Sequence, residues 1–138
     1  MTKQKLNIIF HPKYSQYDFG PDHPWWATRA LPFLEKLKRS KISYQLLTPE
    51  KAKDRDILLV HSQEYLERVK RLAKHNLALS PDTPINFKIL EAAYYSVGGS
   101  ILAAQRAIKG QWSINCLLYT SDAADEGLGV DLGGRRII

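Results

Sequence analysis

Leu6-Asn7-Ile8-Ile9-Phe10, closed by His11-Pro12, is the stretch that decides the fold class. A short apolar run with β-branched content reads as a strand buried on both faces, the signature of a parallel sheet. Pro12 has no N–H for a ladder and ends it. Working outward, residues 13–25 form a polar, aromatic loop punctuated by Gly20-Pro21 and His23-Pro24. Loops of that length in compact domains are often functional. A helix is expected within 26–39, with Leu31, Leu34 and Leu37 on one face and Pro32 either kinking it or opening its second half. Tyr44-Gln45-Leu46-Leu47 is the second strand.

Thr48-Pro49-Glu50 has the form of a helix start, with Thr48 as N-cap, and predicts a short helix running to about Val60. Ser62 is expected to cap the next helix, 63–74, which turns Tyr65, Leu66, Val69 and Leu72 or Ala73 inward and stops at His75-Asn76. After a loop over 76–83, Asp82 or Thr83 is expected to cap a long helix from Pro84 to Ile108, closed by Gly110. Gly98-Gly99 lies inside that helix, where each glycine costs about 1 kcal/mol relative to alanine. Two together predict a place where another backbone packs very close. Trp112-Ser113-Ile114-Asn115 starts a further strand. This alternation predicts an α/β fold, a layered parallel sheet with helices on both faces.

The 138 residues carry 20 Lys and Arg against 14 Asp and Glu. Residues 116–138, however, resemble the in-frame translation of a transposase-type DNA sequencing adapter. Cys116 to Asp125 matches the transposon end with a primer site, and Val130 to Ile138 the flow-cell end. The chain therefore divides into 1–115 and an adapter-like tail, 116–138. The tail holds four of the acids and two of the bases, so 1–115 has 18 basic and 10 acidic residues, a formal charge of +8. The one cysteine, Cys116, also falls in the tail, which leaves 1–115 without disulfides or thiolate metal sites and suits a cytoplasmic protein. No apolar run approaches the length of about 18 residues that suggests a membrane span. The lysines are scattered over predicted solvated helix faces rather than gathered on a stripe, which disfavours nucleic acid as a partner.

The residues alone do not assemble an active site. His11, His23, His61 and His75 have no metal-ligand spacing, and no nucleophile elbow or zinc motif is present. Two places stand out. One is Tyr17-Asp18-Phe19-Gly20-Pro21-Asp22-His23-Pro24 with Arg29 beyond it, directly after the first strand. Ligands in open α/β sheets gather beyond the carboxyl ends of strands. The other is Asp82 beside Pro81 and Pro84, either a helix cap or a carboxylate held at a pocket rim.

Together with Val60-His61-Ser62-x-Glu64-Tyr65-Leu66, Asp82-Thr83-Pro84 and Gly98-Gly99-Ser100, these motifs resemble the N-terminal part of the zinc-dependent histone deacetylase family. The nearest in character are acetoin-utilisation-type and acetylpolyamine-deacetylase-like members. The resemblance covers 6–115 and implies an arginase/deacetylase-type three-layer fold, here incomplete. It implies that Asp82 is the rim aspartate gripping the substrate backbone. It also implies that Tyr17, Asp22, His23 and Pro24 belong to the loop lining the acyl tunnel, with Arg29 in an internal channel below the metal. One departure is local: where the family commonly has His-Pro-x-x-Pro-x-Arg, this chain has Ala27 at the second proline, with Trp25-Trp26 before it.

In the family, a Gly-rich stretch and a His-His pair follow the position of Asn115, and later come an Asp-x-His zinc pair, a third Asp ligand and a tyrosine. Zinc held by two carboxylates and an imidazole leaves places for water and the amide carbonyl. A histidine takes the water's proton, and tyrosine and metal stabilise the oxyanion. None of these residues lies in 1–115. The expectation is a fragment of a deacetylase acting on acetyl-lysine in proteins, acetylated polyamines or small acetylated metabolites. The fragment itself is expected to be inactive and to bind no zinc, with no catalytic or metal residue of its own. The alternative is a small basic α/β binding module for an anionic or nucleic-acid partner. Sequencing the source locus separates the two: the fragment reading expects an uninterrupted frame with a His-His pair soon after codon 115, and a natural stop codon there would overturn it.

Overall fold

A computed structural model describes residues 5–23 and 25–117 of the chain. The expected α/β alternation and parallel sheet are present. Strand β1 (Leu6–Ile9) lies between β2 (Tyr44–Leu47) and β5 (Ser113–Asn115), all parallel. In register, Ile8 stands between Leu46 and Ile114, while Asn7 stands between Gln45 and Ser113. Strand residues alternate faces, so one face carries Ile8, Leu46 and Ile114 and the other Asn7, Ile9, Leu47 and Asn115. Buried Asn7 is satisfied by the neighbouring strands: its Nδ2 donates to Ser113 Oγ at 3.2 Å, and its Oδ1 accepts from the Gln45 amide. A buried amide left without partners would cost about 1–3 kcal/mol, so this polar row penalises any slip of the three strands.

Helix α4 (Phe87–Ile108) packs along the Asn115 side of the sheet. Its 22 residues span about 33 Å. Gly110, at φ +73°, closes it: the Gln111 N–H donates to Arg106 O and the Gly110 N–H to Ala107 O. Helix α3 (Gln63–Lys74) ends in the same way on Asn76, at φ 52°, with Leu77 N–H on Leu72 O and Asn76 N–H on Ala73 O. Both are Schellman ends, one on glycine and one on the asparagine that best tolerates the left-handed region. Ser62 caps α3 as expected, its Oγ accepting from the Tyr65 N–H at 3.1 Å.

Several local expectations are corrected. The Thr48-Pro49-Glu50 start opens no helix. Helix α2 covers only Asp54–Ile57, and the Lys53 N–H is met by the Asp56 carboxylate at 2.7 Å. Residues 48–52 stay irregular because their backbone packs on α4: the Ala52 N–H donates to Tyr94 O at 3.1 Å, and the Glu50 carbonyl lies against Gly98. Asp82 and Thr83 do not cap α4. That role falls to Asn86, whose Oδ1 accepts from the Ile89 N–H at 2.9 Å. Residues 76–83 are not a plain loop either, because β3 (Ala78–Ser80) and β4 (Thr83–Pro84) form a small antiparallel hairpin. A 3-10 helix, Pro12–Gln16, stands at the start of the loop expected after β1. Helix α1 (Ala30–Lys38) begins just before Pro32, which sits in the first turn, where an N–H has no helical partner to lose. Leu37 is buried on it, but Leu31 is 47% exposed and lies off the buried face.

The close approach expected at Gly98-Gly99 is present on both glycines. A Cβ on Gly98 would overlap the Glu50 carbonyl, and one on Gly99 would strike the Tyr14 hydroxyl and the Asn115 amide. Gly98→Ala is expected to destabilise the chain by about 1–3 kcal/mol, the usual range for overpacking against a fixed backbone. The control is Ala103→Gly, at a half-buried site further along the same helix, with a loss of about 1 kcal/mol. Urea unfolding followed by circular dichroism measures both, and a Gly98→Ala loss no larger than the control's would contradict the packing described.

Candidate functional site

The segments that follow the parallel strands meet at the carboxyl end of the sheet. After β1 the chain turns through the 3-10 helix, which buries Tyr14. The Tyr14 hydroxyl donates to Asn115 Oδ1 at 2.8 Å, at the end of β5. Asn115 Nδ2 in turn donates to Ser96 O at 2.9 Å and to Ser100 Oγ at 3.1 Å, both on α4. His11 stacks on Tyr95 with centroids 3.8 Å apart and planes 16° from parallel, and its Nδ1 accepts from the Lys13 N–H. Burial, with Lys13 close by, holds the His11 pKa below its ordinary value. Neither Tyr14 nor Asn115 stands among the candidate site residues that the sequence offers. The available signal was Gly99, since a bare helix face implies something seated on it.

Beyond the 3-10 helix, the expected entrance loop folds on its aromatic residues. Tyr17 makes edge contacts with Phe19 at 4.9 Å and Trp25 at 5.6 Å, and Phe19 meets His23 at 4.7 Å. Two side chains tie the loop to itself: Asp18 Oδ1 accepts from the Gly20 N–H and His23 Nδ1 from the Trp25 N–H, both at 3.0 Å. Gly20 takes φ +104°, a conformation that glycine permits. Burial, and then Tyr65, push the Tyr17 hydroxyl above its ordinary pKa. Asp22 is exposed in the turn, and Pro24 lies outside the described residues.

Arg29 lies just before α1. Its guanidinium sits 3.8 Å from the Trp25 ring centroid, and Nη2 donates to the Leu117 carbonyl at 3.0 Å. Such a cation–π contact is worth about 0.5–2 kcal/mol. Sheet pairing also continues past β5, because the Cys116 N–H donates to Ile9 O at 2.9 Å. The strand expected to start at Trp112-Ser113-Ile114-Asn115 thus keeps its pairing as far as Cys116, and residues 118–138 lie outside the described residues.

Asp82 stands in the turn between β3 and β4. The hydroxyls of Ser80 (2.7 Å) and Thr83 (3.2 Å) both donate to its Oδ1. The Ser80 hydroxyl, its own backbone N–H and the Thr83 hydroxyl, with His23 as a weaker positive influence, hold its pKa below the usual carboxylate value. Val60-His61-Ser62 lies elsewhere, at the turn into α3, where His61 stacks on Tyr65 at 4.9 Å.

Comparison with known proteins gives a consistent picture. Residues 23–121 match the histone deacetylase domain. The chain is 30% identical over 105 residues to a probable deacetylase of Archaeoglobus fulgidus, covering 73% of this chain and 29% of the relative. It is 30% identical over 115 residues to the acetoin utilization protein AcuC of Bacillus subtilis, covering 75% and 30%. To the histone deacetylase clr6 of Schizosaccharomyces pombe it is 26% identical over 128 residues, covering 81% and 31%. The chain thus spans about 30% of the length of these curated relatives.

Of the groups that burial pushes upward, which include Tyr17, Tyr65 and Cys116, the phenols of Tyr14 and Tyr94 are shifted furthest. Burial raises the Tyr14 pKa well above 10.0, and burial together with the Asp54 hydrogen bond does the same for Tyr94. A pKa raised in the fold leaves its stabilisation whole below the unfolded value and removes it as pH climbs past that value. Stability is therefore expected to fall above pH 10, and a Tyr14→Phe/Tyr94→Phe double variant should show a shallower fall. Urea titrations between pH 8 and pH 11 test this, and equal slopes in the two proteins would refute it.

Proposed function

This chain belongs to the histone deacetylase domain family, and we propose that the whole protein removes the acetyl group from an acetylated amine by hydrolysis. In this reading the described residues supply the substrate side of the site. Asp82 accepts hydrogen bonds from the substrate backbone at the rim. Tyr17, Asp22, His23 and Pro24 line the entrance, and Arg29 stands in the channel beneath, where a guanidinium favours the acetate released. Acetyl-lysine in a protein, an acetylated polyamine or a small acetylated metabolite is the substrate class, and the cytoplasm is the setting.

The observation that carries this reading is the position of Arg29. It is fastened by the Trp25 face and the Leu117 carbonyl at the carboxyl edge of the sheet, where α/β folds gather their ligands. The carbonyl is main chain, so the bond does not depend on the side chain at 117. In the same reading, residues 1–115 are the deacetylase part and 116–138 derive from the adapter-like string. The family match overlaps the first residues of that string, up to 121.

The zinc implied by the family finds no donor set here: among the described residues, no three His, Cys, Asp or Glu side chains are grouped to hold a metal. No catalytic step is therefore assigned to them. No helix among the described residues is long and apolar enough to cross a membrane.

The decisive experiment uses the intact protein expressed from its locus, assayed for acetate release from an acetyl-lysine peptide and from an acetylated polyamine. Asp82→Ala is expected to reduce kcat/KM about 10- to 100-fold, the scale of a lost hydrogen bond to a charged group. Unchanged kcat/KM on both substrates would overturn the role given to Asp82. No acetate from either substrate would overturn the activity.

A further inference from the structure

A second concave site lies between α3, the first turns of α4 and the segment leading into α2, with a volume of about 500 Å³. Its floor is apolar, made by Ala52, Leu90 and the ring of Tyr94. Phe87 also lines it and is 62% exposed, a large aromatic left in water. Three lysines line the cleft from two directions. Lys70 and Lys74 come from one face of α3, four residues apart, and Lys51 comes from the segment opposite.

The lining contains one carboxylate, Asp54, and both of its oxygens are engaged. Oδ1 accepts from the Tyr94 hydroxyl at 2.7 Å and Oδ2 from the Lys70 ammonium. Asp54 therefore positions Tyr94 and Lys70 and offsets one of the three positive charges, so the lining keeps two in excess. Lys51 lies 3.6 Å from Glu91, which also holds Lys13, and 5.7 Å from the Tyr94 ring centroid. Each ammonium offers three donors. The lining thus has a surplus of charged donors above an apolar, aromatic surface.

We infer that this cleft binds a small organic anion, with a flat apolar body on Tyr94 and Phe87 and its anionic group between Lys70 and Lys74. The volume is on the scale of small-ligand sites, about 300–1,000 Å³. A nucleic acid or a long acidic peptide would need a continuous basic stripe, and lysines outside the cleft stand on separate elements, such as Lys38 on α1 and Lys109 at the end of α4. This assignment is independent of the proposed deacetylase activity and adds to it a site that the activity does not use.

The test is calorimetric titration of the full 138-residue chain with 1-naphthyl phosphate, inorganic phosphate, neutral 1-naphthol and a Glu-rich peptide. Saturable binding of 1-naphthyl phosphate is expected, about tenfold tighter than either inorganic phosphate or 1-naphthol, the scale of one added favourable contact. Lys74→Gln and Phe87→Ala should each weaken it about tenfold. Both positions are exposed, and circular dichroism checks that the variants keep the fold. Lys109→Gln, exposed at the far end of α4, should leave it unchanged. Several results would overturn the assignment: no binding, equal binding of inorganic phosphate, equal binding of 1-naphthol, or an equal loss with Lys109→Gln. Tighter binding of the Glu-rich peptide, lost with the same lysine, would replace the small ligand with a protein partner.

Discussion

The described fold depends on one notch, the missing side chains of Gly98 and Gly99 on α4. Everything that leaves the carboxyl end of the parallel sheet is fixed against this part of the helix. The segment after β2 lays the Glu50 carbonyl on Gly98 and bonds the Ala52 N–H to Tyr94 O. The segment after β1 sets Tyr14 on Gly99 and His11 on Tyr95. The end of β5 sends the Asn115 amide to Ser96 and Ser100. Two glycines within a helix sacrifice roughly 2 kcal/mol of helix propensity. That loss is offset by three connections that could not otherwise come so close.

This notch also sets how the connections leave the sheet. Helix α4 holds the strand ends rigidly, so the freedom of the chain after β1 begins only beyond the 3-10 helix. From there the loop is shaped by aromatic edge contacts and by two short side-chain-to-backbone bonds, from Asp18 and His23. Arg29 then returns to the carboxyl edge of the sheet and bonds a main-chain carbonyl just past β5. A rigid sheet carrying a loop braced by its own rings is the arrangement in which binding residues are usually held. Trp25, two residues before the departure from the family pattern at Ala27, has a physical role in this arrangement, since its indole forms the face on which the guanidinium lies.

Much of this was legible in the sequence because it rests on strong local signals. The apolar run at 6–10 and the Tyr44–Leu47 strand appear where the pattern places them, Ser62 opens its helix with a side-chain cap, and Asn76 and Gly110 close theirs through left-handed backbone geometry that few other residues provide. The glycine pair announced a close approach, although it could not say which groups would arrive. What was not legible depended on tertiary contact. Thr48-Pro49-Glu50 has good capping chemistry, yet the Ala52 N–H and the Glu50 carbonyl are taken up by α4, and a helix there would have to give up those contacts. Leu31 fits the helical spacing, but the face it occupies has too little packed against it to bury it. Tyr14 and Asn115 carried no motif, because the network joining them spans 101 residues of sequence.

The misplaced start of α4 bears directly on what Asp82 can do. An aspartate that caps a helix commits its carboxylate to the N–H groups of the first turn. Asn86 takes that role four residues later, which leaves Asp82 in the turn of a two-stranded hairpin. Its side-chain partners there are the hydroxyls of Ser80 and Thr83, and both converge on Oδ1. A carboxylate offers about four lone-pair positions, so Oδ2, which accepts from neither hydroxyl, retains capacity for further donors. The same two hydroxyls favour the ionised form. A charged acceptor held by a short hairpin, with lone pairs to spare, is suited to binding backbone N–H groups. Rim capture by Asp82 thus becomes physically reasonable because the helix begins later than its proline suggested.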